Sequence, residues 1–150
     1  MSTTGDAVLA GIETVVETIA VSVSGMFGVV TVGTVDDNAD EITTPRRTHV
    51  VPTGDRRDTE GGGCCTRILT FDVTGHWPRT PAGIKQMVTD VKVYEDKLRR
   101  IDLALADLDE GAIADTRWPR IEQGADFGYS DVATATWRMS LYYVVAAGGG

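Results

Sequence analysis

Apolar positions in the first stretch of the chain recur with a helical period. Val8, Leu9, Ile12, Val15, Val16 and Ile19 fall at steps of one, three and four and share one face, with Glu13 and Glu17 opposite. Thr4 or Gly5 with Asp6 precedes the run, which supplies an N-cap and a negative charge at the positive end of the helix dipole. Near Ser24-Gly25 the period breaks. Met26 to Val35, rich in Val and Thr and interrupted by Gly28 and Gly33, suits a strand better than a continuing helix.

From Asp36 to Gly63 the chain turns polar, with Asp37-Asn38, Pro45, Pro52-Thr53-Gly54-Asp55 and Gly61-Gly62-Gly63 as turn signals. Thr48 to Val51 could make a short strand, and the segment between Pro52 and Cys64, with no apolar side chain, reads as a mobile hairpin tip. Residues 36–63 are thus expected as an extended loop or hairpin. Alternation then returns: Leu69, Phe71 and Val73 lie on one face, Ile68, Thr70 and Asp72 on the other.

Thr80-Pro81 pairs an N-cap with proline at the first helical position. Behind it Ile84, Met87, Val88, Val91, Tyr94, Leu98, Ile101 and Leu105 hold a helical stripe to residue 105, with Lys85, Lys92, Glu95, Lys97, Arg99 and Arg100 on the other faces. Gly111 to Tyr129, containing Trp118-Pro119 and Gly124, reads as a loop. The chain closes on clean alternation, with Ala133, Ala135, Trp137, Met139, Leu141, Tyr143 and Val145 on one face. The expected architecture is α+β: a mostly antiparallel sheet of about four strands, two helices packed on one face, and a long polar hairpin loop, all in one domain over residues 1–150.

The formal charge is −8 over 150 residues, and it is distributed unevenly. Residues 1–44 hold seven acids and no base, residues 45–79 a net charge of +2, and residues 80–150 a net charge of −3. Such an acidic balance argues against a protein that coats nucleic acid, since that binding rests on cations neutralising phosphates. An N-terminus without Lys or Arg offers no positive n-region for a secretory leader, so a cytoplasmic chain is expected. The uncharged run Thr18–Val35 is too rich in Thr, Ser and Gly for a spanning helix, which needs about 20 mostly apolar residues.

Chemistry is sparse. Cys64 and Cys65 are adjacent, which places their side chains on opposite faces of an extended segment, and His49 and His76 show no ligand spacing; no metal or cofactor site is predicted. No Gly-Lys-Ser/Thr follows the glycine run at 61–63, no GxSxG elbow is present, and Asp107-Leu108-Asp109-Glu110 sits as a solvated turn at a helix end. No catalytic residue is predicted, and the chain is not expected to be an enzyme. The arginine pairs Arg46-Arg47 and Arg56-Arg57, interleaved with Asp58 and Glu60, are the most distinctive polar feature. They suit a solvated surface or a contact of mixed sign that sets register across an interface. Trp77, Trp118 and Trp137 read as core or interface anchors.

The order of elements, the strand Thr66–Val73, the long helix after Thr80-Pro81 and the closing run Phe127-Gly128-Tyr129-Ser130-Asp131-Val132-Ala133-Thr134-Ala135-Thr136-Trp137-Arg138-Met139-Ser140-Leu141-Tyr142-Tyr143 together resemble the tail terminator proteins of long-tailed bacteriophages. The resemblance is one of architecture over nearly the whole chain. It implies a virion structural protein that forms a homohexameric ring, caps the tail tube protein, stops its polymerisation and joins a head-completion or stopper protein at the neck. Genomic DNA would pass through the lumen without sequence-specific binding. The resemblance also implies assembly in the host cytoplasm, no membrane partner, and Arg46, Arg47, Arg56, Arg57, Asp58 and Glu60 as subunit or tube contacts. Another head-tail connector, a small α+β ligand-binding domain or a partner-binding module are the alternative readings.

Overall fold

A computed structural model describes residues 5–23, 29–31, 48–58, 66–107 and 116–145, with the backbone alone at 29–31 and 107. The elements are α1 (Gly5–Ser22), β1 (Val29–Thr31), β2 (Thr48–Arg57), β3 (Thr66–Trp77), α2 (Pro81–Leu98), α3 (Ile101–Asp107), β4 (Arg117–Tyr129) and β5 (Ala133–Val144). The strands form one five-stranded sheet in the order β1-β2-β3-β5-β4. Among the described residues β1 and β2 run parallel, and the other strand pairs are antiparallel. The α+β reading with a mostly antiparallel sheet therefore holds, and the described residues carry one more strand and one more helix than expected.

The helices lie on one face of the sheet because the alternation of β3 and β5 is in phase. Leu69, Phe71 and Val73 pair across the strands with Leu141, Met139 and Trp137, so their side chains share the face that meets the helices. Val8, Ile12, Val15, Val16 and Ile19 of α1, and Met87, Val91, Tyr94 and Leu98 of α2, complete a single core with them. Burying a Val, Leu, Ile, Phe or Met side chain contributes about 1.5–3 kcal/mol, so this shared face is the main source of the fold's stability.

Polar anchors then fix α2 against the sheet. The Trp77 indole donates to buried Asp90 at 2.9 Å, the Trp137 indole donates to Glu95 at 3.1 Å, and the Tyr94 hydroxyl pairs with Thr48 at 2.8 Å. Tyr94 stacks on Trp137 with ring centroids 5.3 Å apart. Each large aromatic keeps its apolar body in the core and satisfies its polar tip, as burial of such groups requires. Thr80 caps α2 as its sequence predicts, its hydroxyl accepting from the Gly83 amide at 3.0 Å with Pro81 at the start of the helix.

Three expectations need correction. The stripe from Pro81 to Leu105 is interrupted at Arg99-Arg100, where the Arg100 amide bonds Lys97 O instead of a carbonyl four residues back; Ile101 and Leu105 stay buried, so one apolar stripe serves two helices. The turn signals Pro52-Thr53-Gly54-Asp55 lie inside β2: among the described residues β1 pairs with Thr48–Val50 and no second strand lies beside Pro52, where a missing N–H is tolerated, and the register with β3 shifts between Pro52 and Gly54. The segment 117–129, read as loop, is edge strand β4, whose register with β5 shifts three times and whose residues are mostly exposed, so no alternation of burial marks it.

Candidate functional site

Arg56 and Arg57 end β2 opposite Ile68 and Arg67. Just beyond them the Asp58 amide donates to Thr66 O at 2.9 Å, keeping the two strands paired as far as Asp58. Placing Arg57 directly across from Arg67 sets like charges together, which by itself is unfavourable in a strand pair. Asp55 resolves this conflict. Its carboxylate accepts from Arg67 Nε at 3.1 Å and from the Tyr143 hydroxyl at 2.7 Å, while Arg67 Nη2 also reaches Asp55 O at 3.3 Å.

The first residue of α1 completes this cluster. A Cβ on Gly5 would lie 2.8 Å from the Asp55 carboxylate and 3.1 Å from the Tyr143 hydroxyl, so the helix start approaches this closely because it carries no side chain. Burial, with the hydrogen bond and charge of Asp55 behind it, pushes the Tyr143 phenol up to about 12. The accepting bond and charge of Asp55 likewise raise Arg67. Asp55 thus joins β2, β3, β5 and α1, and it leaves Arg56 and Arg57 exposed at the end of a braced arm.

Two depressions flank α1. A groove of about 490 Å³ runs between α1 and the α2–α3 junction, with Val15, Ile19 and Ala104 as apolar lining and Asp96, Lys97 and Arg100 as charged lining. A hollow of about 390 Å³ on the solvent side of α1 is lined by Thr14, Glu17, Thr18, Val21 and Ser22. The sheet face away from the helices is polar: Arg138 pairs with Asp72 at 3.2 Å, Ser140 donates to Glu122 at 2.9 Å, and Thr74 and Thr136 bond each other at 3.0 Å.

No protein-family model matches the chain, and no curated relative matches it. A solved structure that carries no functional description is similar over 95% of both chains, at 18% identity and a TM-score of 0.53. At that identity the likeness concerns the fold alone. It covers helices and sheet together.

Of the residues singled out from the sequence, Arg56, Arg57 and Asp58 come together on the arm; Arg46, Arg47 and Glu60, like Cys64 and Cys65, lie outside the described residues. Sequence reasoning missed Asp55, Arg67 and Tyr143, which are distant along the chain and carry no motif; only the strand register brings them together. His49 and His76 are buried with ring centroids 4.7 Å apart. Among the described residues no group of three or more His, Cys, Asp or Glu could hold a metal ion, and no helix is long and apolar enough to cross a membrane. Trp77 and Trp137 are fully buried, whereas Trp118 is 64% exposed on β4, edge-on to Tyr142, and so is no core anchor.

Proposed function

We propose that this protein is a virion structural subunit of the tail terminator kind: a non-enzymatic ring builder that caps the tail tube, ends its polymerisation and joins the tail to the neck. Its partners are then further copies of itself, the tail tube protein and a head-completion or stopper protein. DNA passes through the ring without sequence-specific contact, and the subunit resides in the virion neck after assembly in the host cytoplasm. The resemblance in element order and closing strand supports this reading.

The observation that carries the reading is the arm itself. A strand pair held by Asp55, Arg67 and Tyr143 presents Arg56 and Arg57 outward, while the first 44 residues carry only acids. A head-to-tail ring needs two different complementary surfaces on each subunit, and opposite charges at separate places meet that need. An acidic balance also suits a lumen that DNA crosses without sticking.

Electron microscopy of the purified protein, alone and with tail tubes, tests the proposal. Rings, or rings seated on tube ends with elongation arrested, are expected. A protein that stays monomeric and leaves tube growth unchanged overturns the reading.

A further inference from the structure

One row of residues sets off the tip end of the sheet face that the helices leave open. Arg56 of β2 pairs with Ile68 of β3, Ile68 with Tyr142 of β5, and Tyr142 with Arg117 of β4. Directly paired residues share a face, and Leu69 and Leu141, the chain neighbours of Ile68 and Tyr142, belong to the core under the helices. The row therefore runs Arg56–Ile68–Tyr142–Arg117 across four strands on the opposite face, with an arginine at each end and apolar surface between.

Trp118 extends that apolar surface. It is exposed, meets Tyr142 edge-on with ring centroids 5.8 Å apart, and has φ 56°, a conformation in which a bulky residue is an outlier. Strain of this kind gathers at ligand-binding positions, and Trp, Tyr and Arg are the side chains most enriched among those that carry interface energy. Charge singles out the same row. Further along the face Arg138 is paired with Asp72 at 3.2 Å and Arg120 faces Glu122 at 3.7 Å. Among the described residues, neither Arg56 nor Arg117 has a carboxylate at ion-pair distance.

Three strand spacings, about 14 Å, separate the two ends of the row. In an extended chain residues i and i+4 lie about 13 Å apart, and i, i+2 and i+4 share one side. We propose that this row docks an extended acidic protein segment of the pattern acid-x-apolar-x-acid, with its two carboxylates on Arg56 and Arg117 and its apolar side chain on Tyr142 and Trp118. A single-stranded nucleic acid fits less well. Two cations on a chain of net charge −8 give little hold on a phosphate backbone, and the Arg117 guanidinium already lies over the Trp118 ring, 5.3 Å from its centroid, where a base would stack. The surface goes beyond the ring-subunit reading, because it recognises a chemistry whichever chain supplies it.

Tryptophan emission reads the contact, since Trp77 and Trp137 are fully buried and Trp118 is the exposed one of the three. The full chain is titrated at low salt, into the millimolar range, with a blocked Glu-Ala-Leu-Ala-Glu peptide, its Lys-Ala-Leu-Ala-Lys and Glu-Ala-Ser-Ala-Glu counterparts, and oligothymidine. The Glu/Leu peptide is expected to shift the emission to saturation, the shift to be absent from Trp118→Phe, and binding to weaken as salt is added. Arg56→Gln and Arg117→Gln should each weaken binding by about two- to fivefold, the range for an exposed ion pair, with circular dichroism checking the fold; the peptide series and the salt dependence need no variant. No response to the Glu/Leu peptide, equal binding of the Lys or the Ser peptide, or binding indifferent to salt and to both arginine substitutions overturns the proposal. Tighter binding of oligothymidine at the same salt also overturns it and assigns the face to nucleic acid. The ring reading stands or falls separately, by microscopy of the assembly.

Discussion

Asp55 serves four elements with one carboxylate, and its neighbours show how much a single residue's surroundings decide. Tyr143 holds its proton up to about pH 12 in the folded chain, against an ordinary value of 10.0. The folded state therefore binds that proton more tightly than the unfolded one: the stabilisation is complete below pH about 10 and is lost as pH rises to about 12. Denaturation of the wild type and of Tyr143→Phe across this window is expected to show a steeper loss for the wild type. At neutral pH the variant should be about 1.5–3 kcal/mol less stable, the range for a hydrogen bond to a charged group. Trp137 makes the second test, because it is fully buried, stacked on Tyr94 and bonded to Glu95. Trp137→Ala should cost about 3–5 kcal/mol in urea or guanidinium denaturation, and a near-neutral result would contradict its place in the core.

Elements divide by how their stabilising partners are arranged. α2 is legible from local signals alone, since Thr80-Pro81 caps it and its stripe recurs every three to four residues. Thr80→Ala should accordingly lower stability by about 1 kcal/mol through loss of the bond to the Gly83 amide, measured by the same denaturation. β4 stands at the other extreme. It is an edge strand with three register shifts, and Gly124 in it has φ +137°, a conformation that side-chain-bearing residues rarely adopt. Such a strand exists because β5 offers it a free edge, and nothing in residues 117–129 announces that partner. β2 lies between these cases. Its first half, Thr48–Val50, is buried and readable, and its second half is exposed and is held by pairing with β3 across a register shift.

For the whole molecule, the charge separation along the sequence acquires positions in space. The positive arm ends β2, and acidic α1 starts beside Asp55 and carries Glu17 to the far side of the helix. Reversing Arg56 and Arg57 to Glu should weaken assembly in a light-scattering measurement while the circular dichroism spectrum stays as in the wild type. Both side chains are exposed, and the Asp55–Arg67–Tyr143 cluster that braces the arm is left intact. Unchanged assembly would remove the arm from the interface.

The sequence by itself determined the fold class, both principal helices, the phase of β3 and β5, and the residues of their shared core, because periodic burial of apolar side chains is written locally, one residue after another. It also marked the arginines at the end of β2, since unlike neighbours and exposed charge need no partner to be visible. Only the tertiary structure decided that Asp55, Arg67, Tyr143 and Gly5 meet, that β4 is a strand, and that the hydroxyls of α1 line a hollow with Glu17. Each of those depends on strand register or on the packing of residues far apart in the chain, and neither leaves a periodic trace in the sequence.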